Sequence, residues 1–358
     1  MQGELIADIR VPDRAIADPS NWRGPEVAGR KDWIYQLNVA DIAALEASMH
    51  EVDRAGADLA ALTKDWFPLG PFGAKLQAVK RQLDTGPGFA LIRGLPVERY
   101  TRRQATIIYW GIGLHLGQGV VTNSKGHLIS HVTNLGATMD NPNQRGHETR
   151  EMLPYHTDEC DIVGLLCLQE AKSGGASTLA SAVAIHNEIQ RTRPDLLEVL
   201  YQPWYIDRRG EIPEGTKPYY LFPPFTLNKG RLTAWVQPRY SASSQRFPDV
   251  PRYTDAHTEA MKLVQTLADD PRFRLDMTFR RGDIQLLNNH VILHSRTEYQ
   301  DFEDPQRRRH LLRLWISSPD TRDITSWHAA RTPGHRFGVY VKDATPPNVP
   351  IDPVAGAY

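Results

Sequence analysis

The stretch LPYHTDECDIVGLLCLQ, Leu153 to Gln169, sets a histidine and a carboxylate two residues apart, His156 and Asp158, at the mouth of an apolar run. In an extended strand, positions i and i+2 share a face, so this pair can point at one centre. The same H-x-acid spacing recurs at His186/Glu188 and His257/Glu259. Those two lie in helical patterns, where positions two apart project about 200° from each other. Surface polar positions account for them. The first pair stays open between two readings: half of a metal site, or solvated residues where a strand begins.

A third donor stands in RRGDIQLLNNHVILHSRTEY, Arg280 to Tyr299, which reads as strand, Asn-rich turn, strand. His290, Ile292, His294 and Arg296 fall on one face of the second strand. His290 sits at the turn and is expected to be exposed; His294 lies deeper. Alone, His294 would be a hydrogen-bonded core residue. Beside His156 and Asp158 it makes two imidazoles and one carboxylate, a set suited to octahedral Fe(II) with open positions.

The next strand, QRRRHLLRLWISS (Gln306 to Ser318), puts Arg307, Arg309, Leu311, Arg313 and Trp315 on one face and His310, Leu312, Leu314 and Ile316 on the other. Arg309 and Arg313 lie in a segment too apolar for an exposed basic patch. Each needs an anion, either a ligand carboxylate, which a guanidinium fork matches, or an internal Asp or Glu.

The rest of the chain narrows the classes. Of 358 residues, Lys+Arg and Asp+Glu each number 42, so the net charge is zero, which argues against a nucleic-acid or membrane-surface footprint. The two cysteines, Cys160 and Cys167, fall on opposite faces of a predicted strand, so no disulfide between them is expected, and there is no CxxC cluster for structural zinc. The N-terminus lacks a signal-like apolar run and no stretch is long enough to span a membrane. A soluble cytoplasmic protein is the economical expectation.

Residues 1–35 read as an irregular arm. Helices are expected from Asn38, over PFGAKLQAVKRQLDTG up to Gly86 and Pro87, and over TRRQATIIYWGIGLHLG; GFALIRGLP reads as a buried strand between the last two. Residues 119–152 read as a long loop. Strands then dominate (160–169, 176–181, 218–226, 231–237, 273–279, 283–288, 291–296 and 309–317), interrupted by helices over VAIHNEIQRTRPDLLEVLYQ and YTDAHTEAMKLVQTLADD. This pattern is mainly β with helical additions, a two-sheet sandwich or jelly roll.

From about Gly88 to Ser317 the chain resembles the taurine and 2,4-dichlorophenoxyacetate dioxygenase-like (TauD/TfdA) Fe(II)/2-oxoglutarate oxygenases. The resemblance rests on HTDECDIVGLLCL, SGGASTLASAVAIHNEI, RGDIQLLNNHVILHSRTEY and RRRHLLRLW, in that order. It implies a double-stranded β-helix, a cupin-like jelly roll, over 88–318, with a helical insertion at about 182–270. Residues 1–87 would pack on that core, and 319–358 would form a tail. It implies His156, Asp158 and His294 as iron ligands, and Arg309, fifteen residues after His294, as the anchor of the 2-oxoglutarate distal carboxylate. Ser177 or Thr178 would assist it, and Arg313 would hold an anionic group of the substrate. Fe(II), 2-oxoglutarate and O2 would oxidise a substrate C–H bond with release of succinate and CO2. A carboxylate at Asp158 favours hydroxylation, desaturation or ring formation over halogenation.

The expected substrate is a small acidic or amino-acid-like molecule. The insertion offers Arg208, Arg209, Tyr219 and Tyr220 to the pocket, with Arg208 and Tyr220 the candidate contacts; a solvated loop beside a strand is the other reading. His115, His127, His131 and Asn134 are candidates for a lid. Two readings of other classes remain: a non-catalytic jelly-roll binder, and a zinc hydrolase built on His156 and His294. A homo-oligomer is left open.

Overall fold

In the computed structural model of the chain, residues 10–138, 145–318, 322–323, 325–331, 337–341 and 345–353 are described. Two sheets carry the architecture. The larger runs Ile34–Gln36, Phe89–Arg93, Ile284–Asn288, Ile162–Gln169, His310–Ser317 and Gln118–Gly119, with Ile129–Val132 also paired to His310–Ser317. The smaller runs Arg274–Met277, Ser177–Ser181, Ile292–Arg296 and Leu153–His156. Pairing is antiparallel except between Ile34–Gln36 and Phe89–Arg93. The chain alternates between the sheets: Leu153–His156 lies in the smaller, Ile162–Gln169 in the larger, Ser177–Ser181 in the smaller. After the insertion, Ile284–Asn288, Ile292–Arg296 and His310–Ser317 alternate again.

The larger sheet is sandwiched, which is why its central strands are apolar on both faces. Leu312, Leu314 and Ile316 pack with Leu286, Ile162 and Leu166 against a helical layer. That layer is formed by Val39–Arg54, Phe72–Thr85 and Arg102–Leu114, through residues such as Leu45, Leu76 and Ile108. Each such side chain contributes about 1.5–3 kcal/mol when removed from water. The alternate residues Leu311, Arg313 and Trp315 are thereby turned to the molecule's interior side. The helix from Val39 starts where expected because Asn38 and Asp41 cap each other reciprocally, at 2.9 and 3.0 Å. Phe72–Thr85 stops at Gly86 and Pro87.

Several expectations are corrected. The strand expected at 160–169 runs Ile162–Gln169, but His156 and Asp158 do not lead straight into it. The chain leaves the smaller sheet at His156 and enters the larger at Ile162, so residues 157–161 form a corner. Ile129–Val132 is a buried strand inside the expected loop. The helix over 183–202 is two, Ala182–Thr192 and Pro194–Leu200, because Pro194 has no N–H to continue the first. The N-terminal arm also supplies an edge strand, Ile34–Gln36. Much of the tail lies outside the described residues. No helix among the described residues is long and apolar enough to cross a membrane.

Candidate metal centre

His156 ends its strand directly opposite His294 on the neighbouring one. This register brings the two rings to 4.3 Å between centroids. Asp158 joins them from the corner: its Oδ1 lies 3.9 Å from His156 Nε2 and its Oδ2 3.7 Å from His294 Nε2. One donor atom from each residue falls within 4.8 Å of the others, the one such cluster of metal-ligating side chains among the described residues. The pair was expected to meet through the pleat of a strand. It meets through the corner instead, and Asn289 holds the corner. Its carboxamide accepts from the Asp158 N–H at 2.8 Å and donates to the carbonyls of Asp158 and Cys160 at 2.6 and 2.9 Å. Gln237 donates to the Thr157 carbonyl at 2.6 Å.

The protonation pattern suits a cation. His156 Nδ1 faces the Pro154 carbonyl at 2.8 Å, so the proton sits on Nδ1 and the Nε2 lone pair is left for an ion. Burial lowers the pKa of His156, and brings that of His294 down to about 3 with help from the neighbouring imidazole. Both rings are therefore neutral at physiological pH. Burial pushes Asp158 upward, but Arg313, the two imidazoles and the Trp315 indole N–H outweigh it, and the carboxyl falls to about 2. Trp315 Nε1 donates to Asp158 Oδ2 at 2.8 Å, and Arg313 Nη1 lies 3.4 Å from the same oxygen. The internal-ion-pair reading of Arg313 is thus correct in part, although its Nε and Nη2 have no hydrogen-bond partner.

Two cavities adjoin at the triad and share His147, Leu153, His156, Asp158 and Arg313. One is walled by the strand residues Ser177, His294 and Arg296 and by Arg309, just before the strand from His310. Arg309 is 4% exposed, and its Nη2 reaches the Gly175 carbonyl at 3.4 Å while Nη1 has no partner. A Cβ on Gly175, whose φ is +71°, would stand 2.9 Å from Arg309 Nε, so glycine makes room for the guanidinium. Arg309 and Arg296 each lie 5.0 Å from the Tyr299 ring centroid, and Arg296 too has unpaired buried nitrogens, Nε and Nη1. Two such guanidiniums beside one cavity call for an anion. Ser177 faces this cavity and exchanges hydrogen bonds with Gln285 at 3.1–3.2 Å. Thr178, one residue on, does not line it.

The second cavity is lined by Arg145, Arg209, Gln237, Arg239 and Tyr240 together with His156 and Asp158. Arg208 and Tyr220 are not on it. Arg208 donates to the Arg331 carbonyl at 2.8 Å and lies over the Tyr220 ring, whose hydroxyl accepts from Trp235. Arg209 takes the place expected of Arg208. The lid candidates are elsewhere: His115 contacts the Phe67 carbonyl, His127 contacts Asn123, His131 contacts His310, and Asn134 borders a separate groove. His290 is buried rather than exposed, bonded to Asp161 at 2.7 Å. His186 is buried as well, against the Tyr201 hydroxyl, while Glu188 pairs with Arg23 and Arg191. Sequence reasoning gave no role to Arg296, Trp315 or Asn289. Arg296 and Trp315 had a signal, since each shares a strand face with a named site residue.

Comparison with known proteins agrees with this geometry. The family model described as "Taurine catabolism dioxygenase TauD, TfdA family" matches residues 53–315. FR-33289 synthase of Streptomyces rubellomurinus is 30% identical over 334 residues, covering 92% of this chain and 97% of that protein. Taurine hydroxylase-like protein SAT17 of Stachybotrys chartarum is 32% identical over 312 residues, 84% and 79% of the two chains. A uridine-5'-phosphate dioxygenase of a Streptomyces species is 28% identical over 181 residues, 46% and 61% of the two chains. Among solved structures, an asparagine oxygenase with Fe(II), 3-hydroxyasparagine and succinate aligns at a TM-score of 0.61 and 15% identity, over 86% of this chain and 98% of that one. The non-haem iron oxygenase OrfP with Fe and alpha-ketoglutaric acid aligns at 0.59 and 17%, over 80% and 94%. That likeness is one of fold: sheet-rich, with helices. The family match spans most of the chain, and with it the chain belongs to the TauD, TfdA family as an Fe(II)/2-oxoglutarate-dependent dioxygenase using O2.

Proposed function

We propose that the chain hydroxylates a C–H bond of a small anionic or amino-acid-like molecule. His156, Asp158 and His294 hold the Fe(II), and Arg309 with Ser177 seats the distal carboxylate of 2-oxoglutarate in the strand-walled cavity. The observation that carries this reading is the pair of cavities meeting at one largely buried His–Asp–His cluster, with a guanidinium that keeps one nitrogen unpaired in the first. Bound together, iron and 2-oxoglutarate supply the oxidising power, with O2 consumed and succinate and CO2 released. The chain's own part is to keep both imidazoles neutral, Asp158 ionised and oriented by Trp315, and the reacting end away from bulk water. The alternation of strands between two sheets supports a double-stranded β-helix over 88–318 with 182–270 inserted. Relatives named for taurine and for uridine 5'-phosphate support an anionic substrate. Zero net charge supports a small-molecule partner rather than nucleic acid or an anionic membrane surface. A zinc hydrolase would leave Arg309 without a purpose.

The test is turnover. With Fe(II), ascorbate and 2-oxoglutarate in air, succinate should form, faster with a true substrate drawn from amino acids and small phosphorylated or sulfonated molecules. Product mass then separates hydroxylation from desaturation or ring closure. If 2-oxoglutarate is neither bound anaerobically nor consumed, the reading is wrong.

A further inference from the structure

The insertion contributes to the second cavity one residue whose state the fold alone does not explain. Arg209 is 6% exposed, yet its Nε and Nη1 have no hydrogen-bond partner. Nη2 reaches Glu211 Oε2 at 3.3 Å, and Glu211 also accepts from Arg145. The backbone of Arg209 is left-handed, φ +53°, a region that costs a non-glycine residue strain and persists where surroundings impose it. Here they do. The Arg209 N–H donates to Asp207 Oδ1 at 2.8 Å, and its guanidinium lies 3.9 Å from the Tyr240 ring centroid. Asp207 is fixed in turn by Ser243 and by Arg246 at 3.0 Å. This bend turns Arg209 into the cavity, while Arg208 before it lies outside.

Unpaired buried donors on a charged group are costly, and a guanidinium has donors only, so the missing partner is an acceptor that carries negative charge. The cavity wall does not supply one. Its two carboxylates, Asp158 and Glu159, are engaged with Arg313 at 3.4 Å and Arg331 at 2.9 Å. Arg239 and Arg313 on the same wall add positive potential. We infer that Arg209 binds an oxyanion of the organic substrate, in the cavity that Arg309 does not line. The substrate is thereby held from the insertion, and the two anions of the ternary complex, co-substrate and substrate, are read by different arginines. This rests on taking that cavity as the substrate's.

The experiment titrates protein loaded anaerobically with Fe(II) and 2-oxoglutarate with taurine, 2-aminoethylphosphonate and β-alanine, which share a skeleton and differ in the oxyanion. Binding is read by calorimetry. At least one should bind saturably, the order naming the preferred oxyanion. Arg209→Gln should weaken that one about tenfold or more, as expected for a lost charge-assisted contact, with 2-oxoglutarate affinity and melting temperature little changed. Arg209→Lys, which keeps the charge without the fork, should lose less, and it carries the comparison if Arg209→Gln does not fold. Equal affinities in wild type and variant, or no binding of any of the three to the wild type, would overturn the inference. The charge-transfer absorption of the Fe(II)–2-oxoglutarate complex is recorded separately. Its absence would count against the oxygenase reading, while the calorimetric comparison would still decide Arg209.

Discussion

In the function proposed above, Arg309 is the residue on which co-substrate recognition turns. It is buried, one of its nitrogens is unpaired, and Gly175 leaves room for nothing larger beside it. Arg309→Ala should weaken 2-oxoglutarate about 10- to 100-fold, the scale of hydrogen bonds to a charged group, and leave Fe(II) binding nearly intact. Titrating each ligand separately under nitrogen checks this; equal loss of both would make Arg309 a folding residue. The four residues proposed for this centre, His156, Asp158, His294 and Arg309, stand out in the sequence because each interrupts or borders an apolar strand pattern, where a polar side chain must find a partner to stay buried. Arg209 could not be distinguished from Arg208. Which of two adjacent arginines turns inward depends on one left-handed φ after a strand end, and alternation no longer applies there.

At the scale of the element, the corner 157–161 positions Asp158, and Asn289 fastens it with three hydrogen bonds. Asn289→Ala should lower stability by about 1–3 kcal/mol and Fe(II) affinity about 10- to 100-fold, as removal of groups that orient metal ligands does. Urea denaturation and an iron titration measure the two. Lost stability with unchanged iron affinity would confine Asn289 to the fold. The strands around the corner were readable as apolar runs bounded by polar residues and glycine. The corner itself was not, because His156 and Asp158 satisfy a strand's period by coincidence while the chain is changing sheets. Ile129–Val132 was missed for a related reason: four residues, one of them His131, are too few to show a period.

For the molecule as a whole, burial sets the response to acid. Burial lowers His131 and His186 to about 4 and His310 to about 3. Their folded values lie below the ordinary 6.5 of an unfolded chain. As pH falls through 6.5 the unfolded state takes up protons that the folded state refuses, so stability is full above that pH and declines towards 4. His186 alone would account for up to about 3 kcal/mol. Urea midpoints at several pH values between 7 and 4.5 should fall, and His186→Gln should flatten the slope; unchanged slopes would remove His186 from the account. The layout of the two cavities has a consequence of its own. Beyond their shared wall, one is built largely from sheet strands and the other draws Arg209, Gln237, Arg239 and Tyr240 from the insertion. Under the proposed function, oxidising power and choice of molecule would thus draw in part on different stretches of chain. On that proposal, drift within 182–270 would carry such an enzyme to a new substrate while the machinery that activates oxygen is inherited unchanged.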